Sequence, residues 1–414
     1  MVSSNPKSGI SGVRLSSVVP ARIAGDNKEM ELTNLDLAMK LHYIKGVYFF
    51  ESEAVRGLTV YELKAPMFKL LETYYPASGR IRLSEMGRPF IKCNDGGVRI
   101  VEAQCDKTVE EWLAMEDCSL DGCLAYDQVL GPDLGFSPLV FVQFTWFKCG
   151  GMAIGLSWAH VLGDAFSASD FINNWGRILS GKGPSKSPGE INSTSSFPGK
   201  PFPLEKVSTM GDCWKIDGDC NMQTHSFLCI NDPNQTTNLL DFETISAVIW
   251  KSISKIRGNI GSKKVTTCRK NVNKEMPNNG LVLSMVETES SVAKLEIAEL
   301  ARMIANDKVD ENYRIEDMLE GIGMGGEGSE SVVYGANLTF LNMEEGDFYG
   351  LELKGKKPVF LNYMINGVGG EGLVLVLPGP PQKDGGKGRT VTMVLPEGEI
   401  VWVKKEIQKY WNIV

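Results

Sequence analysis

His160-Val161-Leu162-Gly163-Asp164 follows the run Gly151-Met152-Ala153-Ile154-Gly155-Leu156-Ser157-Trp158, and together they read as a buried strand that ends on a histidine. Apolar and small residues fill the run almost throughout, which predicts a core strand. An imidazole at the end of such a strand has a pKa near neutrality and can take a proton in a water-poor site. Few side chains compete for that role, because the chain holds only 3 histidines, His42, His160 and His225. On five residues alone, a buried imidazole satisfied by backbone groups accounts for the motif better, so the surrounding sequence has to decide.

With 414 residues the chain suggests two domains, at roughly 100–200 residues per domain. Hydrophobic residues at 43% and charged residues at 23% suit a globular protein with two cores. The net charge of −8, from 43 basic and 51 acidic residues, argues against general nucleic-acid binding. Such binding needs a positive surface that displaces counterions. The balance still allows a local basic patch for an anionic group such as coenzyme A.

The 9 cysteines stand at 93, 105, 118, 123, 149, 213, 220, 229 and 268, an odd count without a CxxC pair. No secretory apolar region opens the chain, so reduced thiols in a cytosolic compartment are expected. Cysteines without histidines at ligand spacing give no metal site. No apolar stretch reaches the roughly 20 residues that a membrane-spanning helix needs, so no transmembrane segment is expected.

Along the chain, Val13 to Val19 reads as a strand ended by Pro20. Thr33 and Asp36 open a helix whose period runs through Leu35, Met39 and Leu41 towards Lys45, placing His42 on its surface or boundary. Val47 to Phe50 is β-prone, Thr59 to Tyr74 reads as a helix, and strands near Phe90 and Val98 precede a helix from Val109. The Ser- and Pro-rich segment from Gly181 to Pro203 reads as a crossover linker. This divides the chain into a first domain at 1–180, a linker at 181–210 and a second domain at 211–414. In the second half a strand runs near His225 to Ile230, with helices at Phe242 to Arg257 and Val292 to Asn306. Gly321 to Gly328 and Pro378 to Gly388 are loops, and Ile400, Val403 and Ile407 mark a closing helix. His225 lies on its strand with no acidic residue or cysteine at a position in register by sequence, and receives no function. The alternation without a regular βαβ repeat predicts a mixed α/β architecture.

Tyr74-Tyr75-Pro76-Ala77-Ser78-Gly79-Arg80, Gln143-Phe144-Thr145, Cys149-Gly150-Gly151 and His160 to Asp164 form an ordered series. Leu32-Thr33-Asn34-Leu35-Asp36 and Ser246-Ala247-Val248-Ile249-Trp250 extend it. The series resembles the plant BAHD (HxxxD) acyltransferase superfamily. Val13-Arg14-Leu15-Ser16-Ser17-Val18-Val19-Pro20, Asp36 to Tyr43, Ile91 to Asp95, Gly131-Pro132-Asp133-Leu134 and Tyr334-Gly335-Ala336-Asn337-Leu338-Thr339-Phe340 resemble its eceriferum/glossy wax-biosynthesis branch. The resemblance implies two chloramphenicol-acetyltransferase-like mixed-sheet domains joined by a crossover linker, with a channel between them and His160 at its centre.

In an active enzyme of this kind His160 is the general base that frees an acceptor hydroxyl or amine to attack an acyl-CoA thioester. Thr339 stands where the family places a hydroxyl as oxyanion donor. Asp164 is implied to turn away from the channel and hold the loop through an arginine. Three departures set this sequence apart. Ala165 replaces the usual glycine after the motif aspartate. Glu352-Leu353-Lys354-Gly355-Lys356 stands for the second signature, Asp-Phe-Gly-Trp-Gly. The element expected after Arg269 is missing between Asn271 and Gly280. By the resemblance Arg269 pairs with Glu352, while Lys354, Lys356 and Lys357 are weak candidates for the coenzyme phosphates. The enzymatic question therefore stays open, with HxxxD kept and the second signature lost.

Two functions follow. In the first, as in the eceriferum branch, the chain is an auxiliary protein that helps a β-ketoacyl-CoA synthase elongate very-long-chain acyl-CoAs for cuticular wax. That reading places it at the cytosolic face of the endoplasmic reticulum. In the second it is an acyl-CoA-dependent O- or N-acyltransferase. Neither implies a tightly bound cofactor; acyl-CoA enters as substrate or ligand.

Overall fold

Thr33, Thr59 and Thr108 each start a helix by accepting a hydrogen bond from the backbone N–H three residues on. The carboxylates of Asp36, Glu62 and Glu111 return to the threonine N–H groups. Each box satisfies donors that a helix start leaves open. The computed structural model describes residues 9–25, 28–39, 42–85, 87–115, 122–126, 135–184, 222–230, 241–258, 263–271, 279–307, 309–312, 333–381, 388–410 and 412–413. Most of the expected linker and all of the Gly321–Gly328 loop lie outside these residues.

In chain order the first half forms β1 (Ile10–Val18), β2 (Glu29–Glu31), α1 (Asn34–Ala38), β3 (Tyr43–Phe50), α2 (Ser52–Val55), α3 (Val60–Thr73), β4 (Arg80–Leu83), β5 (Pro89–Lys92), β6 (Val98–Cys105), α4 (Val109–Leu113), β7 (Val140–Phe147), β8 (Met152–Ala159) and α5 (Ala165–Leu179). The second half adds β9 (Met222–Ile230), α6 (Phe242–Arg257), β10 (Lys264–Lys270), β11 (Leu281–Glu287), α7 (Ile297–Asn306), β12 (Leu338–Asn342), β13 (Phe360–Asn366), β14 (Leu373–Pro378), β15 (Arg389–Pro396), α8 (Glu399–Ile407) and β16 (Asn412–Ile413).

Two large mixed sheets result, as the mixed α/β reading expects. One runs β1-β6-β7-β8-β3-β13 and the other β11-β10-β12-β14-β15-β9-β16, with β2-β5-β4 a small third sheet. The parallel pairs are β6 with β7, β10 with β12, and β12 with β14. β13 comes from the second half yet pairs with β3 in the first half's sheet. That crossing strand ties the halves together through backbone hydrogen bonds.

Alternation along β14 shows how the core divides. Leu373, Leu375 and Leu377 join a cluster shared with the first half, alongside Phe171, Trp175 and Tyr363. Val374 and Val376 face the other way, into a cluster with Val248, Ile249, Leu300 and Val403 of α6, α7 and α8. The period of two in a strand makes each face a separate packing surface. Val47 and Phe49 likewise leave β3 for a third cluster with Trp112 and Phe147, while Tyr48 and Phe50 join the shared one.

Two sequence expectations change. The helix opened by Thr33 stops at Ala38, and β3 begins at Tyr43. Every residue of β3 is buried, and β8 and β13 pair with its two edges. A strand satisfied on both sides overrides helical spacing, and His42 leaves the helix for the strand's threshold. The expected helix at Val292–Asn306 begins as a 3-10 turn over Val292–Lys294, and α7 starts at Ile297.

Gly155 on β8 gives a direct test of this packing. A Cβ there would overlap the Leu124 carbonyl oxygen and the Ala125 Cα. Gly155→Ala should destabilise the protein by about 1–3 kcal/mol, the usual range for overpacking, seen as a lowered melting temperature. Gly183→Ala, with open space around it, should leave that temperature unchanged.

Candidate functional site

β8 delivers His160, and the reason its ring stays in place lies in the next four residues. His160–Leu162 forms one 3-10 turn, and Gly163 then adopts φ 143°. Few side-chain-bearing residues adopt that φ, so glycine is the natural residue there. Trp158 Nε1 donates to the Gly163 carbonyl at 3.0 Å and pins the turn from the strand. Asp164 then caps α5, accepting from the Phe166 and Ser167 N–H groups at 3.1 and 3.0 Å. Its other oxygen accepts the Gly280 N–H at 3.1 Å. This corrects the expected arginine partner, because the described partners of Asp164 are N–H groups and the Ser167 hydroxyl. Burial pushes its carboxyl up to about 6, against the pull of those hydrogen bonds.

Opposite His160 stands the residue the sequence placed elsewhere. The antiparallel register sets Tyr43 against Ala159, so His42 comes opposite His160, and the His160 N–H donates to the His42 carbonyl at 3.1 Å. His42 is 1% exposed, as is His160. Its Nδ1 lies 3.2 Å from the Asn366 carbonyl at the end of β13. The two imidazole centroids are 6.2 Å apart. A surface helix position for His42 is thus overturned, since the sheet edge carries it into the interior.

Tyr334, just ahead of β12, completes the cluster. Its hydroxyl lies 3.0 Å from His160 Nε2, and its ring centroid is 4.8 Å from His42 and 5.6 Å from His160. Burial of all three rings keeps them neutral. Desolvation lowers His160 to about 4, and desolvation with the His160 charge lowers His42 to about 3. The Tyr334 phenol is pushed well above its ordinary value by burial. The Cys268 thiol, raised to about 12 by burial, stays protonated as well. His42 Nε2 and His160 Nδ1 face no hydrogen-bond partner among the described residues.

Asn279 ties the cluster to the first helix. Its amide donates to Asp36 Oδ1 at 2.7 Å and to the His160 carbonyl at 2.8 Å. Asp36 thereby serves both its capping box and the second half. Thr339 is fully buried; its hydroxyl donates to the Asn337 carbonyl at 2.8 Å and accepts the Gly335 N–H at 3.2 Å. The hydroxyl expected to donate to an oxyanion is engaged in holding the Tyr334–Gly335 turn.

The expected Arg269–Glu352 pair does not form. Arg269 reaches Glu243 of α6 at 3.0 Å, Thr267 Oγ1 at 3.0 Å and the Ile304 carbonyl at 3.2 Å. On β10, Cys268 belongs to the shared core and Val265 to the cluster under α6 and α7. Alternation therefore sends Arg269 to the Val265 side, towards α6. Glu352 instead lies 3.9 Å from Lys182, past the end of α5. Lys354 donates to the Arg56 carbonyl at 2.5 Å, and Lys356 pairs with Glu53 at 3.5 Å. These two lysines staple their loop to the α2 region, while Lys357 is exposed and has no such tie among the described residues. His225 opposes Met393 and stacks near Phe227, away from this cluster.

His42, Asn279 and Tyr334 are the residues that sequence reasoning did not assign to the site. The register of β3 with β8 brings in His42, while hydrogen bonds from the loops ahead of β11 and β12 bring in Asn279 and Tyr334.

Residues 12–213 match a family model described as the transferase family. Protein ECERIFERUM 2 of Arabidopsis thaliana is 42% identical over 97% of this chain and 98% of its own length. A crystal structure of vinorine synthase shares the fold with a TM-score of 0.73 and 17% identity, covering 97% of this chain and 98% of that one. F. graminearum TRI101 complexed with ethyl coenzyme A superposes with a TM-score of 0.67 and 16% identity, over 93% of this chain and 99% of that one.

The buried imidazoles predict a pH dependence. Their folded pKa values lie below the ordinary value near 6.5, so the unfolded chain takes up protons that the native state refuses. Stability is therefore lost as pH falls through 6.5 towards 4. The Asp164 carboxyl, raised in the fold, works the other way below pH 6 and offsets part of that loss. The net expectation is a fall of about 2 kcal/mol in unfolding free energy between pH 7 and pH 5. Denaturant titrations should show it, and a His42→Gln/His160→Gln variant should reverse the trend. An equal acid loss in that variant would remove the imidazoles as its cause.

Proposed function

This chain belongs to the BAHD transferase family, in its eceriferum branch, and on that premise we propose that it is an auxiliary protein of very-long-chain acyl elongation for cuticular wax. In this reading it modulates a β-ketoacyl-CoA synthase through an acyltransferase-like fold. The likeness to ECERIFERUM 2 along nearly the whole chain carries the reading.

The geometry supports it. His160 is buried against Tyr334, and Thr339 holds a turn. Glu352 of the second signature and Arg269, expected as a pair, go to different partners. A fold kept for binding rather than turnover tolerates all of these. Acyl-CoA is the proposed ligand, since TRI101, with the same fold, is complexed with ethyl coenzyme A. No described helix is long and apolar enough to cross a membrane. The proposed position at the cytosolic face of the endoplasmic reticulum therefore comes through the synthase. The first domain at 1–180 and the second at 211–414 would flank the acyl channel.

A second reading rests on a specific observation: His160 stands at the end of its strand, and Asp164 holds the loop behind it. In that reading the chain is an acyl-CoA-dependent O- or N-acyltransferase with His160 as general base and Thr339 as oxyanion donor.

Co-expression with a β-ketoacyl-CoA synthase, with acyl chain lengths read by gas chromatography, separates the two. The auxiliary reading expects longer products than the synthase alone makes, and expects His160→Ala to retain the effect. Folded protein that lengthens nothing would overturn it. Loss of all function in His160→Ala would favour the transferase, at a rate cost of about 10²–10⁴-fold.

A further inference from the structure

A general base takes a proton directly from an acceptor whose oxygen stands within about 2.6–3.2 Å of it, or through one bridging water. On His160 that position already holds an oxygen, the Tyr334 hydroxyl at 3.0 Å from Nε2. The phenol is fully buried, and burial keeps its proton in place.

The backbone behind the ring fixes it there. The Tyr334 carbonyl accepts from the Gly369 N–H at 2.9 Å, and the Gly335 carbonyl from the Glu371 N–H at 3.0 Å. Gly335 has φ 88°, and a Cβ on it would overlap the Gly369 backbone. Only glycine fits a left-handed turn clasped so closely. Thr339 closes the clasp through the Gly335 N–H, and His42 packs against the ring from the other side.

We propose that Tyr334 is a built-in acceptor surrogate: its hydroxyl fills the place on His160 that an alcohol, amine or water must take, and so determines that the site transfers no acyl group. The proposal rests on the reading that this site meets acyl-CoA, and it names the residue that withholds transfer. Removing the phenol should admit water. His160 Nε2 then takes the water proton while the water oxygen bonds to the thioester carbonyl carbon. The carbon–sulfur bond breaks, and the proton passes from the imidazolium to the departing thiolate. The products are a free fatty acid and coenzyme A thiol.

The test uses the full chain with palmitoyl-CoA, reading released thiol with a chromogenic disulfide. The wild type should match the buffer rate. Tyr334→Ala should exceed it by about tenfold or more, and Tyr334→Ala/His160→Ala should return to background, as loss of base catalysis requires. Where circular dichroism shows Tyr334→Ala unfolded, Tyr334→Phe decides instead. It keeps the ring and loses one oxygen, with an expected gain of roughly threefold.

Folded variants that release no more thiol than the wild type overturn the proposal, and so does a wild type that already shows His160-dependent release. Equilibrium dialysis of palmitoyl-CoA against the wild type separates the causes of a negative result. Bound ligand without gain in the variants overturns the surrogate alone; no bound ligand overturns it together with its premise. The effect on elongation is read separately by co-expression. A gain in hydrolysis beside unchanged chain lengths would sink only the auxiliary reading.

Discussion

Everything at the candidate site depends on one strand pairing. β3 lies between β8 and β13, and its register with β8 sets Tyr43 against Ala159. The same strand sets Tyr43 against Asn366 on its other side. One row of backbone hydrogen bonds thus brings the thresholds of three strands, at residues 42, 160 and 366, to a single point. A slip of one residue would turn every side chain of β3 to the opposite face, parting the shared core from the third cluster and His42 from His160.

The same strand joins the two halves of the chain. β13 belongs to the second half by sequence and to the first by hydrogen bonding. Around it the shared core gathers Phe348, Tyr363 and Leu373 with Phe171 and Trp175. Residues 279–280 add polar stitches from Asn279 to Asp36 and from Gly280 to Asp164. Buried polar groups are costly unless paired, so these stitches fix how the halves meet as well as holding them.

The rings of the site are buried and uncharged. Two imidazoles, a phenol and a thiol stand in protonation states that burial dictates. An imidazole held neutral remains able to accept a proton, yet its reach ends at the phenol beside it. The motif is thus intact as structure, with its histidine closing a turn and its aspartate capping a helix, whatever chemistry passes near it.

Much of this was legible in the sequence. The alternation of strands and helices, the helix start at Thr33 and Asp36, Phe242–Arg257 as a helix and the burial of His160 follow from local spacing and capping chemistry. The family likeness rests on residues that can be quoted in order. The sequence could not show that His42 leaves a helical period for a strand, because pairing on both edges of β3 outweighs local propensity. Nor could it show that Arg269 turns to Glu243, which strand alternation decides, or that Tyr334 comes to rest on His160. Those contacts join residues far apart in the chain, and their energies exist only once the sheets have paired. Local sequence determined most of the elements, because spacing and capping act within a few residues. Strand register and the loop contacts built on it decided which side chains meet, because they join residues far apart in the chain.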